Sequence, residues 1–159
     1  MTTQWMIEDL EPFPDAPGVG ELCEPTTYWT TPDAMELPAE MVVNAIVDEV
    51  TIDGRTERIA HLGRGFTTMV PDYIDVTGQT PLTGCLVWDR NLWLNFRTEP
   101  SGQVLVTERA SLLRRAARTP TTYPGVYSVD HQGPSILHRG GTVPAGFGIV
   151  ARALSALLA

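Results

Sequence analysis

Prolines restrict the first quarter of this 159-residue chain more than any other feature of the sequence. Six of them lie between residues 8 and 38: Pro12, Pro14, Pro17, Pro25, Pro32 and Pro38. Proline fixes φ and has no N–H to donate, so neither a long helix nor a central strand is expected here. Four aromatic residues accompany the prolines: Trp5, Phe13, Tyr28 and Trp29. We therefore expect residues 1–37 to form an irregular Pro-rich acidic arm, packed through its rings on a single domain of residues 38–159.

Strand-forming patterns dominate the middle of the chain. Asp53-Gly54 separates two such runs, residues 46–52 and 55–62, and this dipeptide favours a two-residue type I′ hairpin turn. Further strands are expected at 66–70 and 73–76. Residues 82–108 predict a three-stranded antiparallel meander, because apolar runs alternate there with turn-forming residues. Residues 38–46 suit either a helix or a strand, and the sequence leaves that choice open.

Two segments have helical spacing. Residues 109–118 place apolar and arginine side chains on opposite sides of a short helix, which Thr119-Pro120 would end. Residues 144–158 predict an amphipathic helix that begins at Pro144, with an apolar stripe of Phe147, Val150, Ala151, Leu154, Leu157 and Leu158. The predicted fold class is therefore α+β: an antiparallel sheet of about six strands with the C-terminal helix packed on it.

The charges are distributed unevenly along the chain. The first 54 residues contain twelve carboxylates and no basic side chain; all eleven arginines follow, lysine is absent, and the formal charge is −8. An acidic end attracts a positively charged partner, whereas nucleic acid requires a basic face. We expect a basic protein partner and no nucleic acid. The residues expected to contact that partner are Glu21, Glu24, Tyr28, Trp29, Asp33 and Glu36.

Cysteine content and hydropathy indicate a soluble cytoplasmic protein with reduced thiols and no membrane contact. Cys23 and Cys85 are too few for a disulfide framework, although one bridge between them stays possible. The N terminus has no basic segment followed by an apolar run, and no apolar stretch reaches the roughly 18 residues of a membrane span.

Motifs for catalysis or metal binding are missing from the sequence. The three histidines (His61, His131 and His138) and the two cysteines lack zinc-ligand spacing, so neither a metal nor another cofactor is expected. Ser128 and Asp130-His131 have the residue types of a hydrolase triad, but a triad brings its members together from separate segments. We therefore lean towards a protein that is not an enzyme, and the sequence leaves this open.

An alternative is a small cofactor-free, β-barrel-like enzyme, such as an isomerase or cyclase. Its aromatic-lined pocket would bind a small hydrophobic ligand, and burial would tune a carboxylate as acid or base. The pocket residues in that case would be Glu57, Trp88, Trp93, Glu108 and Tyr127.

Three segments near the C terminus carry a resemblance: Tyr127-Ser-Val-Asp-His-Gln-Gly133, Gly141-Thr-Val-Pro144 and Ala153-Leu-Ser-Ala-Leu-Leu158. Residues 127–159 resemble the end of immunity proteins that neutralise polymorphic deaminase or nuclease toxins. In that family an apolar strand and turn lead to a Val-Pro step and a closing amphipathic helix. The resemblance implies an α+β fold, no catalysis and one tight protein partner. The leading hypothesis is thus an acidic, immunity-like inhibitor that neutralises a basic enzyme by electrostatic complementarity.

Overall fold

The computed structural model describes residues 3–8, 15–31, 36–37 and 43–158. The protein is nearly all β, with 62% strand and 2% helix, and one mixed sheet holds all eleven strands. The strands are β1 (Thr3–Glu8), β2 (Leu22–Cys23), β3 (Thr27–Thr30), β4 (Val43–Ile52), β5 (Arg55–Gly63), β6 (Phe66–Val70), β7 (Gly78–Leu82), β8 (Cys85–Trp88), β9 (Val104–Pro120), β10 (Tyr127–His138) and β11 (Phe147–Leu158). The α+β prediction is therefore wrong.

The sheet curls around one large apolar cluster. Its order is β10-β9-β11-β1-β8-β3-β6-β5-β4-β7, with β2 paired to β9, and only β1–β8 and β3–β6 are parallel among the strand pairs described. Val106 of β9 and Val47 of β4 belong to the same buried cluster, although many strands separate them in the order. A second, smaller cluster lies on the opposite face, where Trp5 and Leu112 contribute. The central strands therefore bury both of their faces.

The predicted C-terminal helix is instead strand β11. It lies between β9 and β1, and the two clusters bury successive residues Ala153 and Leu154 on opposite faces. A strand that is buried on both faces needs apolar residues at nearly every position, which removes the period-2 alternation. Such a continuous apolar run is hard to distinguish from a buried helix by spacing alone. Of the predicted stripe, Ala151, Leu154 and Leu158 are buried and Phe147, Val150 and Leu157 are half-buried, and the predicted helical conformation is wrong.

Residues 109–118 are also strand rather than helix. They belong to β9, which pairs with β11 on one side and with β10 on the other. Leu112 and Leu113 are adjacent in sequence and both fully buried, because they face opposite sides of the sheet. The apparent helical stripe arose from this double burial combined with exposed arginines farther along the strand.

The expected irregular N-terminal arm supplies three strands of the sheet. β1 lies between β11 and β8, and β3 lies between β8 and β6, so strands from both sides of the predicted boundary at 37/38 pair directly. Pro17 and Pro25 fall between strands, whereas Pro12, Pro14, Pro32 and Pro38 lie outside the described residues. The strands of this segment therefore lie between its prolines, and the prolines do not exclude the segment from the sheet.

Local turn chemistry predicted the β4–β5 hairpin correctly. Ile52 pairs with Arg55, and the two turn residues have positive φ, 53° at Asp53 and 76° at Gly54. β6 spans the predicted residues 66–70. Residues 43–46 are part of strand β4, while 38–42 lie outside the described residues.

The structure corrects the predictions for residues 73–76 and 82–108. No strand forms at 73–76, and β7 occupies Gly78–Leu82 instead. The middle strand expected at 92–96 is a single 3-10 turn, Leu92–Leu94, and β8 pairs with β1 and β3 rather than with β9. The three-stranded meander is therefore absent from this described stretch. No helix long and apolar enough to cross a membrane occurs in the parts of the chain that the structure describes.

Candidate protein-interaction surfaces

The β9–β10 hairpin projects beyond the rest of the sheet. β11 pairs with β9 only as far as Arg115, whereas β10 follows β9 to its end, where Tyr127 pairs with Pro120. We call residues 114–132 the ribbon. An isolated two-stranded hairpin is marginally stable at best in water, so an ordered ribbon is expected to gain contacts from something else.

The ribbon carries apolar side chains in solvent. Tyr123 is 72% exposed, Tyr127 54%, Val126 52% and Val129 49%. Cross-strand partners share a face, so Tyr127 and Val129 lie on the same side as Pro120 and Arg118. Tyrosine and arginine are among the residue types that are enriched at interaction hot spots.

A Pro-Gly turn closes the ribbon. The Val126 N–H donates to the Tyr123 carbonyl over 3.1 Å, with Pro124 and Gly125 between them and Gly125 at φ 79°. This arrangement is a type II turn, which needs positive φ at its third residue. The Thr121 N–H and hydroxyl both donate to the Val126 carbonyl, at 3.0 Å and 2.9 Å. These hydrogen bonds therefore fix the backbone of the turn, although its side chains are exposed to water.

The ribbon is locally basic within an acidic protein. It contains Arg114, Arg115 and Arg118 against one carboxylate, Asp130. Arg114 donates to the Gly133 carbonyl over 2.9 Å, and the Arg115 guanidinium lies 5.3 Å from the centre of the Phe147 ring. Arg118 is exposed on the apolar side of the ribbon. The ribbon therefore presents an apolar surface with positive charge at its margin.

Several carboxylates of the acidic N-terminal third form ion pairs with arginines from later in the chain. Glu8 is buried and bonds Arg109, with Oε1 2.5 Å from NH1, and Asp15 lies 3.1 Å from the Arg90 guanidinium. On the β4–β5 hairpin, Arg58 is 3.7 Å from Glu49. The strong charge asymmetry of the sequence is thus partly neutralised in the fold, because these carboxylates lie close to arginines from the later part of the chain.

A short acidic segment that pairs with the start of β9 has carboxylates exposed to solvent. Residues 19–24, which we call the acidic edge, pair with the start of β9: Leu22 opposes Leu105, and the Val106 N–H donates to the Glu21 carbonyl over 3.0 Å. Val19 and Leu22 are 61% and 58% exposed. Glu21 and Glu24 are exposed and make no ion pair with any described residue.

The residues predicted to contact a partner do not form one surface. Glu21 and Glu24 lie on the acidic edge, and Glu36 is exposed beside β10, where its carbonyl accepts the Ser135 N–H over 2.8 Å. Trp29 is fully buried in the main cluster, so its ring cannot contact a partner. Tyr28 is half-buried and lines a separate cleft; Asp33 lies outside the described residues. The prediction missed the ribbon, although Tyr123-Pro-Gly-Val126 between two β-branched runs was a usable turn pattern.

The five residues predicted for an enzyme pocket lie apart. Glu57 is a buried structural group whose carboxylate accepts N–H bonds from Arg97 and Thr98, at 2.8–3.0 Å. Trp88 packs against the main cluster with Arg90 over its ring, while Trp93 is 69% exposed. Glu108 pairs with Arg139, and Tyr127 is on the ribbon. None of the four clefts described among the placed residues is lined by more than one of the five.

Several contacts together shift the pKa of the Glu57 carboxylate. Burial alone would raise its pKa, but hydrogen bonds from the Arg97 and Thr98 N–H groups and the Thr98 hydroxyl act in the opposite direction. The Arg55 guanidinium, 3.5 Å away, adds to this effect, and the net result is a pKa below the usual range. The carboxylate therefore stays ionised and holds the loop before β9, which is a structural task.

Two of the clefts among the described residues contain polar groups that could meet a small ligand. One, of about 400 Å³, is lined by Arg109, His138, Arg139 and Arg152, but Arg109 and Arg139 are already paired with Glu8 and Glu108. The other, of about 370 Å³, lies between Tyr28, Tyr73 and Phe96. Within the described residues, no cluster of three or more His, Cys, Asp or Glu side chains could hold a metal ion.

Both cysteines are free thiols. Cys85 is fully buried, and this burial raises the pKa of its thiol to about 12. Burial and then the Glu8 carboxylate raise the pKa of Cys23. A raised thiol pKa lowers the thiolate fraction, so neither side chain is activated as a nucleophile.

Comparison of the chain with protein-family models, with curated proteins and with solved structures gave no significant match.

Proposed function

We propose that this protein is a binding protein that acts through protein–protein contact, with the ribbon as its principal contact element. The observation that carries this proposal is the exposure of Tyr123, Val126, Tyr127 and Val129 on a two-stranded hairpin beyond the edge of the sheet. Exposing these side chains to water is unfavourable, and covering their exposed part against a partner recovers a fraction of the roughly 1.5–3 kcal/mol that full burial of a large apolar side chain provides.

The shape of the ribbon favours a protein partner over a small molecule. Small ligands bind in concave sites that cover most of their surface, whereas the ribbon is a projecting element. Its outer edge, residues 127–132, also lacks a strand neighbour among the described residues. Open strand edges accept an added strand from another chain, which supplies main-chain hydrogen bonds as well as side-chain contacts.

The acidic edge supports the charge part of the sequence prediction. Glu21 and Glu24 flank the exposed Leu22, so a basic apolar element of a partner would fit there. The more specific hypothesis, an immunity-like inhibitor that neutralises a basic enzyme, needs this surface to meet that enzyme. We retain it as part of the proposal, with Glu21 and Glu24 as the steering charges.

Photo-crosslinking of the full-length chain tests the proposal. A photoreactive phenylalanine analogue is placed at Tyr127 and, as a matched control, at Tyr73, which is also well exposed but lies outside the ribbon. Irradiation in the native host should crosslink position 127 to protein and leave position 73 largely unreacted. Equal, low crosslinking at both positions would overturn the assignment of the ribbon as a contact element.

A further inference from the structure

The chain carries two exposed apolar surfaces of opposite charge. The ribbon combines Tyr127 and Val129 with Arg118, and the acidic edge combines Leu22 with Glu21 and Glu24. The two surfaces are complementary, because each has exposed apolar side chains that the other could cover and their charges have opposite signs.

We infer that the ribbon of one copy of this protein docks on the acidic edge of a second copy. This inference rests on the proposed function, because it names the partner of the ribbon. Apolar contact between Tyr127, Val129 and Leu22 would provide the affinity, and attraction between Arg118 and Glu21 or Glu24 would set the orientation.

A ribbon cannot dock on the acidic edge of its own chain. The acidic edge pairs with β9 at Leu105, whereas Val129 pairs with β9 at Arg118, thirteen residues farther along the same continuous strand. At about 3.3 Å per residue this separates the two surfaces by about 40 Å. The contact therefore requires a second copy.

Both surfaces are also accessible to backbone pairing. β10 is the terminal strand of the order, and β2 is bonded to β9 without another strand neighbour in the described part of the chain. Residues 127–132 of one copy can therefore align with residues 21–24 of the next and extend the sheet, as strands do in β-augmentation.

Contact between unlike surfaces allows two kinds of assembly. Around a two-fold axis, the ribbon of each copy docks on the acidic edge of the other and the dimer is closed; without that axis, the copies join head to tail and form a ring or a continuing chain. Two ribbons facing each other would instead place two positively charged surfaces at one interface, and like charges there oppose binding.

Two complementary variants test this geometry. The ribbon variant, Tyr127→Ser with Val129→Ser, keeps the acidic edge intact; the edge variant, Glu21→Lys with Leu22→Ser, keeps the ribbon intact. All four positions are exposed or at the surface of the sheet, and circular dichroism with thermal melting checks that both variants fold. Their association is measured by sedimentation velocity on the full chain over a wide concentration range.

The wild type should self-associate, and each variant alone should associate at least tenfold more weakly. An equimolar mixture of the two variants should form a species of two chains and no larger one, because one intact ribbon meets one intact edge. Wild-type association should also weaken as ionic strength rises from about 0.01 M to 0.15 M, which shortens the screening length from about 30 Å to about 8 Å.

Other outcomes overturn the inference. A wild-type protein that stays monomeric at every concentration excludes the second copy as partner, and an edge variant that associates as strongly as wild type shows that ribbons meet each other instead. The crosslinking experiment separates this failure from failure of the proposed function. Crosslinks from position 127 to a different protein, with none to residues 15–31 of this chain, would leave the ribbon as a contact element but with another partner.

Discussion

The Glu57 carboxylate and the Arg97 backbone N–H form a bifurcated hydrogen bond, with distances of 2.9 Å to Oε1 and 3.0 Å to Oε2. The Thr98 N–H and hydroxyl donate to the same Oε1, at 2.8 Å and 2.9 Å. One buried side chain of β5 therefore fixes the segment that follows the 3-10 turn. Without it, two backbone N–H groups would lose their acceptor.

Replacing this carboxylate should therefore destabilise the fold in a pH-dependent way. Glu57→Gln should cost about 1–3 kcal/mol at neutral pH, because a neutral amide forms weaker hydrogen bonds than a carboxylate and its nitrogen, in place of Oε2, cannot accept from the Arg97 N–H. The pKa of Glu57 is lowered in the folded state, so its contribution is present above the unfolded pKa of about 4.3 and is lost as pH falls through the folded value.

Urea unfolding of Glu57→Gln and wild type at several pH values measures this effect. The difference in unfolding free energy should be largest near neutral pH and should shrink as the solution is acidified below about pH 4. Glu49→Gln is the matched control on the same hairpin, because Glu49 is half-exposed and lies 3.7 Å from Arg58. A pH-independent difference would show that ionisation of Glu57 does not stabilise the loop.

Gly84 allows the start of β8 to pass close to the end of β3. A Cβ atom built there would lie 2.1 Å from the Thr30 carbonyl oxygen, and φ is 145°. Gly84→Ala should therefore cost about 3 kcal/mol or more, from backbone strain plus displacement of β3. Gly78→Ala is the control, since Gly78 also has positive φ, 79°, but its Cβ would meet open space. Thermal melts that rank the two variants equally would contradict the close approach.

Sequence-based prediction succeeded where a few neighbouring residues determine the structure. Asp53-Gly54 specifies its turn through its own positive φ values, and the flanking strands follow from the turn. The failures at β9 and β11 have a different cause. Leu112, which belongs to the smaller cluster, and Leu113 are both buried although they face opposite sides of the sheet, and this burial depends on tertiary packing that has no local pattern in the chain.

The candidate site was only partly predictable for the same reason. The charge of Glu21 and Glu24 follows from composition, but the pairing of Glu8 with Arg109 depends on β1 and β9 approaching each other in space. The aromatic character of Trp29 predicts a contact with a partner, because aromatic residues are enriched at interfaces, yet its side chain is in the core. The ribbon was missed because Arg114, Arg115 and Arg118 suggested the polar face of a helix.

The two cysteines should differ in their accessibility to alkylation. Cys85 has a pKa of about 12 and is fully buried, so iodoacetamide near pH 8 should leave it unmodified in the folded protein. Cys23 is half-buried and should react slowly, since its pKa is also raised. Mass spectrometry after timed alkylation measures both sites, and alkylation in denaturant provides the fully modified reference. Modification of Cys85 ahead of Cys23 in native buffer would contradict the described burial.

Substitutions in the ribbon and in the core of the sheet should differ in their effect on the unfolding free energy. Tyr127→Ser should change the unfolding free energy of dilute protein by no more than about 0.5 kcal/mol, because the side chain is 54% exposed. Leu113→Ala should cost about 2–5 kcal/mol, since Leu113 is fully buried between Ile136 and Ile149. Urea midpoints at low protein concentration measure both variants without a contribution from association. If Tyr127→Ser proved as damaging as Leu113→Ala, Tyr127 would belong to the packed interior of the monomer and would not be available to a partner.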